Sequence, residues 1–258
     1  MIRNNMLGDL GLDIYMILFC AAFCAGFIDS IAGGGGMITI PALFLAGIPP
    51  HQALGVNKLQ SCFGSFSATM HFYKKGHIVL KDNITPVICV FLCAAGGTLL
   101  VQFLEAQFLA KCIPFLLIVF ALYFLFSPKI TEEQSHVRYT HALLYFVLGA
   151  IGFYDGFFGP GTGSFLMLAL IMLGGYGLKN ALAHAKLFNF TSNIASMLVF
   201  AIGGQILWVL GFLMGAGQFI GANLGSRLAL RYGIKIVKPL VVGVSLIVCV
   251  KLLYDEYF

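Results

Sequence analysis

Hydrophobic residues in this chain fall in long runs, with the polar residues gathered in the gaps between them. Run length predicts ten segments, at about 10–32, 37–48, 53–73, 84–104, 107–127, 141–158, 164–174, 180–201, 207–226 and 236–254. Runs of this kind predict helices, because lipid offers no hydrogen-bond partner to an open backbone and a helix satisfies its own. The second and seventh runs are too short to cross. About 12 residues at roughly 1.5 Å each reach about 18 Å of a roughly 30 Å hydrocarbon core. They are predicted as half-helices or re-entrant pieces.

The pattern also repeats. Gly26-Phe27-Ile28-Asp29, followed by Gly33, Gly34, Gly35 and Gly36, returns 126 residues later as Gly152-Phe153-Tyr154-Asp155, followed by Gly159-Pro160-Gly161-Thr162-Gly163. Further on the shift is 128: Gly47, Ala53-Leu54 and Lys58-Leu59 return as Gly175, Ala181-Leu182 and Lys186-Leu187. The expected architecture is an all-α membrane protein with a single membrane domain of two related halves, 1–128 and 129–258. Each half has about five segments, with a short half-helix after a Gly-rich break. Repeats of this type place a transport site at their interface.

Lysine and arginine positions bear on how the halves face. If every segment changes side, one face collects Lys74, Lys75, Lys81, Lys129, Arg138, Lys179, Arg227, Arg231, Lys235 and Lys238, and the other Arg3, Lys111 and Lys251, 10 against 3. If the short segments do not cross, the split is 7 against 6 and the bias vanishes. The positive-inside rule therefore favours halves that cross an odd number of times, which makes the repeats inverted and puts both termini outside the cytoplasm. A re-entrant hairpin made of each half's first two segments has the same parity as two full crossings.

Composition narrows the class. Hydrophobic residues make up 60% of the chain and charged ones 10%, against about 25% charged in soluble domains. The longest polar stretch, 127–141, has 15 residues, too few for a soluble catalytic domain. The net charge of +5 lies between apolar runs, as topology determinants do, so no nucleic-acid partner is expected. Cys20, Cys24, Cys62, Cys89, Cys93, Cys112 and Cys249 show no CxxC spacing and no adjacent histidine cluster. They read as small buried thiols, and neither a metal nor a cofactor is expected. The apolar run from Ile14 could pass for a leader peptide, but the residues just beyond it have an internal counterpart, so it is expected to belong to the mature fold.

Charge and broken backbone inside apolar runs mark the candidate site, since both are costly there unless a cavity or partner receives them. Gly33, Gly34, Gly35 and Gly36 precede a helix start for which Thr39 is the expected N-cap and Pro41 a first-turn residue. Gly159, Gly161 and Gly163 precede another, with Ser164 in the same part. Free amides at a helix start favour an anion, although small residues also serve tight turns and close packing. Lys58 and Lys186 either bind that anion or pair with Asp29 and Asp155, and the two uses combine if the aspartates hold the lysines until substrate arrives. Asp29 and Asp155 are candidates for a coupling proton or for capping the glycine-loop amides. His184 is a weaker relay candidate, because its register counterpart is Val56. Asn57, Ser61 and Ser65 continue along one helix and Asn189, Ser192 and Asn193 along the other. Ser61 matches Asn189 and Ser65 matches Asn193; the spacing of four puts Ser61 with Ser65, and Asn189 with Asn193, on one helix face where each pair can line a path or bond a neighbouring helix.

At these residues the chain resembles the TauE/SafE (YfcA-like) family of membrane proteins. The likeness is carried by Ala25-Gly26-Phe27-Ile28-Asp29-Ser30-Ile31-Ala32 with its four glycines, by Pro41-Ala42-Leu43, Gly47-Ile48-Pro49-Pro50 and Ala53-Leu54-Gly55-Val56-Asn57-Lys58, and by the second-half run from Gly152 to Gly163. It covers nearly the whole chain. The resemblance implies transport of small sulfur-containing anions such as sulfite, sulfoacetate or thiosulfate across a bacterial inner membrane; the residues by themselves point only to an anion. Such proteins are often drawn with eight spans, which the lysine and arginine count here disfavours.

The combined expectation is a secondary transporter, in the exporting direction, working by alternating access. Its partners are a small anion, the bilayer, and a proton or other coupling ion if one is used; nothing in the pattern bears on oligomeric state. The inside-negative potential drives an anion outward by about 2.3 kcal/mol per charge per 100 mV, so export can run uncoupled. An anion channel and a non-transporting membrane sensor or assembly factor are the alternatives. A membrane-embedded enzyme is disfavoured by the absence of HExxH, GxSxG and a metal-ligand cluster.

Overall fold

The structure, a computed structural model, describes residues 11–126 and 140–232. Among these every regular element is helical: α1 (Leu12–Ala32), α2 (Gly36–Leu45), α3 (Pro50–Lys74), a 3₁₀ turn (Leu80–Asn83), α4 (Ile84–Gln102), α5 (Ala106–Phe126), α6 (His141–Phe157), α7 (Thr162–Met172), α8 (Leu178–Ile202) and α9 (Trp208–Tyr232). They correspond in order to the first nine predicted segments. The tenth, 236–254, lies outside the described residues.

By length and composition Leu12–Ile31, Leu80–Gln102 and Leu178–Ile202 are able to cross a membrane. The half-helices appear as expected, with α2 of 10 residues and α7 of 11, about 15–17 Å long. The largest departure is at α9, which continues six residues past the predicted 226 to Tyr232. Run length measures apolarity whereas helix length follows the backbone hydrogen-bond ladder, which continues through the exposed Arg227. α3 begins at Pro50, where a missing N–H costs nothing. α3 and α8 end alike, His77 N bonding Phe72 O and Gln205 N bonding Phe200 O, with Gly76 and Gly204 in the turn.

Small residues set the packing. α1 lies on α9 and α6 on α4, with α3 packed on both α9 and α8, and α8 also on α4. Exchanging α1 with α6, α4 with α9 and α3 with α8 leaves this set of contacts unchanged. A Cβ at Gly97 of α4 would stand 3.0 Å from the backbone nitrogen of Phe157, and one at Gly221 of α9 would stand 3.0 Å from that of Phe27. Glycine thus lets the backbones touch where lipid supplies no hydrophobic force between helices. Apolar clusters surround the centre, one of them including Phe72, Leu166, Leu182 and Phe188, and another Ile40, Leu54, Leu117, Phe158 and Phe200.

Candidate functional site

Both helix breaks meet at the centre of the bundle. α1 stops at Ala32 and Gly33 takes a φ of 72°; α6 stops at Phe157 and Gly159 takes a φ of 103°, conformations that side chains with a Cβ rarely adopt. The two breaks are in backbone contact. A Cβ on Gly33 would lie 2.6 Å from the carbonyl carbon of Gly163, and Ser164 Oγ donates to Gly33 O at 2.8 Å.

Local details of these starts differ from the expectation. Gly35, not Thr39, is the N-cap of α2; Thr39 lies a turn inside, donating to Gly35 O at 3.3 Å and Asn57 Oδ1 at 2.7 Å. Pro41 is interior to α2 rather than in its first turn, so the carbonyl of Met37 loses its usual i+4 donor. Ser164 is not a cap either: Gly161 precedes α7, and the Ser164 hydroxyl is directed across to the other break. The glycines turn the chain early enough that the helices begin before any hydroxyl residue can cap them.

The two lysines and two aspartates pair across the breaks. Lys58 of α3 meets Asp155 of α6 at 2.9 Å, and Lys186 of α8 meets Asp29 of α1 at 2.9 Å. Each Nζ also donates to the backbone carbonyl of its aspartate. Both ammonium groups therefore sit at the carbonyl-rich end of a broken helix, where the helix dipole favours a cation. The carboxylates lie toward the opposite, amide-rich starts. Gly34 N and Gly35 N donate to Asp29 Oδ1 at 3.0 and 3.3 Å, whereas Asp155 Oδ1 accepts from Thr162 Oγ1 at 2.9 Å and its Oδ2 from Ser192 Oγ. Asp29 thus occupies two of the amides expected to be open to an anion. Lys58 and Lys186 are 1% and 0% exposed, so both pairs lie in surroundings where losing one partner is expensive.

A cavity of about 20 Å³ remains among these groups, lined by Asp29, Gly35, Gly36, Asn57, Ser61, Asp155, Gly159, Gly161, Thr162, Gly163, Asn189 and Asn193. That is room for about one water, so a sulfur oxyanion enters only if the walls separate. Gly33 and Gly34 complete the break just beside it. Asn193 Nδ2 reaches back to Asn189, one turn away, so those two share a face as the spacing predicted. Ser65 is drawn off, its hydroxyl donating to Ser61 O at 2.6 Å. His184 is not part of the cavity wall; its Nδ1 bonds Asn180 O at 2.8 Å and its ring meets Tyr176 edge-on at 4.8 Å.

Thr162 and Ser192 hold Asp155, a role the sequence assigns to neither: Ser192 reads only as a polar residue along its helix and Thr162 only as part of the glycine loop. Their counterparts at 128 residues are Gly34 and Gly64, so symmetry hides them: one half uses side-chain hydroxyls where the other uses amides. Tyr154 OH, donating to Pro160 O, ties α6 to the loop beyond it and was likewise missed. Its position beside the repeated aspartate was the available signal.

The chain is similar to known proteins along most of its length. The family profile described as "Sulfite exporter TauE/SafE" matches residues 18–252. A "Probable membrane transporter protein" of Haemophilus influenzae is 48% identical over 249 residues, 96% of this chain and 98% of the relative. "Probable membrane transporter protein ORF9" of Sinorhizobium sp is 50% identical over 248 residues, 96% and 95% of the two chains, and "Probable membrane transporter protein YfcA" of Escherichia coli K12 is 48% identical over 242 residues, 93% and 90%. No solved structure matches. With several apolar helices among the described residues, a break in each of two corresponding regions and these relatives, the chain belongs to the TauE/SafE family of membrane transporters.

Proposed function

We propose that the protein is a secondary transporter that exports small sulfur-containing anions, of the sulfite, sulfoacetate or thiosulfate class, by alternating access across the bacterial inner membrane. The observation that carries this reading is the reciprocal burial of Lys58 with Asp155 and Lys186 with Asp29 where two broken helices touch. Charges held at helix breaks around a polar cavity are what a substrate can compete for. In the proposed cycle Lys58 and Lys186 exchange their aspartates for the anion. Asn57, Ser61, Asn189 and Asn193 line the site, Ser65 extends the path, and the amides of Gly33 through Gly36 and of Gly159, Gly161 and Gly163 become donors as the carboxylates move away. Asp29 and Asp155 are then the groups able to take up a coupling proton. Two inverted repeats, 1–128 and 129–258, account for the reciprocity of the pairs, and the charge distribution supports termini outside the cytoplasm.

The test is sulfite counterflow in proteoliposomes together with binding to the purified protein. Saturable counterflow is expected, with Lys58→Ala and Lys186→Ala each lowering anion affinity by at least about tenfold. Unchanged binding in both variants would make the lysines structural only. Flux that neither saturates nor shows counterflow would identify a channel.

A further inference from the structure

Charge and hydrogen-bonding capacity in the cavity narrow the kind of anion it takes. Asp29 and Asp155 of the wall are paired with Lys186 and Lys58 beside it, so in this state the four charges cancel. A monoanion therefore brings one uncompensated charge into the protein interior and a dianion brings two, each in surroundings that disfavour net charge.

Three asparagines supply the second observation. Asn57 Oδ1 accepts from Thr39 Oγ1 at 2.7 Å and from Gln60 Nε2 at 3.2 Å, which commits its oxygen to the helices and leaves its Nδ2 for the cavity. Asn189 Oδ1 accepts from Asn193 Nδ2, leaving Asn189 Nδ2 and Asn193 Oδ1. Asn57, Asn189 and Asn193 are 3%, 6% and 3% exposed and all line the cavity. Among the described residues the two Nδ2 groups donate to no protein atom and Asn193 Oδ1 accepts from none. Buried amides are ordinarily satisfied, so two donors and one acceptor are left for whatever enters.

We propose that the site selects a monovalent oxyanion bearing one hydroxyl hydrogen, bisulfite rather than sulfite dianion or sulfate. Two bare oxygens accept from Asn57 Nδ2 and Asn189 Nδ2, and the hydroxyl donates to Asn193 Oδ1. This rests on the anion-site reading above and adds the protonation state of the ligand. The titratable groups lining the cavity are Asp29 on α1 and Asp155 on α6; Lys186 on α8 and Lys58 on α3 are paired with them, with Cys62 and Tyr154 next to Lys58 and Asp155. A probe whose charge stays fixed therefore has to accompany the titrating one.

Calorimetric affinities of the full-length protein in detergent, measured for sulfite, methanesulfonate and sulfate through the pH range in which bisulfite loses its proton, test the inference. Sulfite affinity is expected to fall about tenfold per pH unit above that transition, tracking the bisulfite fraction. Methanesulfonate, a monoanion without a hydroxyl, is expected to bind more weakly with no such dependence, and sulfate not measurably. Asn193→Leu should lower bisulfite affinity about tenfold more than methanesulfonate affinity, the extra loss being one hydrogen bond of roughly 1.4 kcal/mol. Sulfite affinity independent of pH, sulfate binding as tightly as bisulfite, or an equal loss for both monoanions in Asn193→Leu overturns the inference while leaving an anion site in place. Failure of all three probes at every pH overturns the anion site itself.

Discussion

Lys58 ends on a carboxylate and a carbonyl while 1% exposed, so its charge is tolerated only because Asp155 is there. Lys58→Ala leaves that carboxylate with the Thr162 and Ser192 hydroxyls but no cation, and a loss of about 3–5 kcal/mol is expected. Adding Asp155→Ala should recover part of it, because the second change removes the stranded charge. A double-mutant cycle on thermal unfolding in detergent measures this, and strictly additive losses would contradict a coupled pair. The Lys186 and Asp29 cycle should give a smaller coupling, since the Asp29 side chain is 13% exposed against 3% for Asp155 and water screens what it reaches. The four charges stood out in the sequence because apolar runs rarely contain any. Their pairing was not legible, because which lysine meets which aspartate depends on how the halves face each other. Thr39 was misread for a related reason: a hydroxyl after a glycine run looks like a cap, but the turn geometry at Gly33 started the helix earlier.

Element lengths were far easier to read, since burial in lipid forces apolarity over a whole crossing and nine of the predicted segments appear in order among the described residues. What joins the elements was less visible. Gly96 and Gly97 are equivalent as letters, yet a Cβ at Gly97 would lie 3.0 Å from backbone atoms of Phe153 and Phe157, whereas the nearest atom at Gly96 is 4.0 Å away on the Phe153 ring. The neighbouring pair makes a controlled test of α4 packing on α6. Gly97→Leu should destabilise by at least about 1–3 kcal/mol, because a backbone cannot rotate out of the way as a side chain can. Gly96→Leu should be within about 1 kcal/mol of neutral, the new side chain meeting open space and the helix losing an unfavourable glycine. Thermal unfolding of the two variants in detergent decides; equal losses would mean that α4 is not held by backbone contact at Gly97.

Across the whole molecule the two ion pairs join residues 1–128 to residues 129–258 in both directions, so relative motion of the halves has to part both pairs. If the halves are inverted, as proposed, register-related positions at the ends of α3 and α8 face opposite sides of the membrane. Lys74 and Ile202 are such a pair, 128 residues apart, each exposed and each at the end of a 25-residue helix. In a background with all seven native cysteines replaced by alanine, Lys74→Cys should react with a membrane-impermeant maleimide only after the cell is opened, and Ile202→Cys in intact spheroplasts. An alkaline phosphatase fused after Phe258 should be active, by the same charge argument. An odd number of crossings, as proposed, would let two breaks entered from opposite faces converge; Gly33 and Gly163 are in contact, and each aspartate lies beside the other half's lysine. Labelling of both cysteines from one side would make the repeats parallel, and exchange of Lys58 and Lys186 between two openings of opposite orientation would then lose its structural basis.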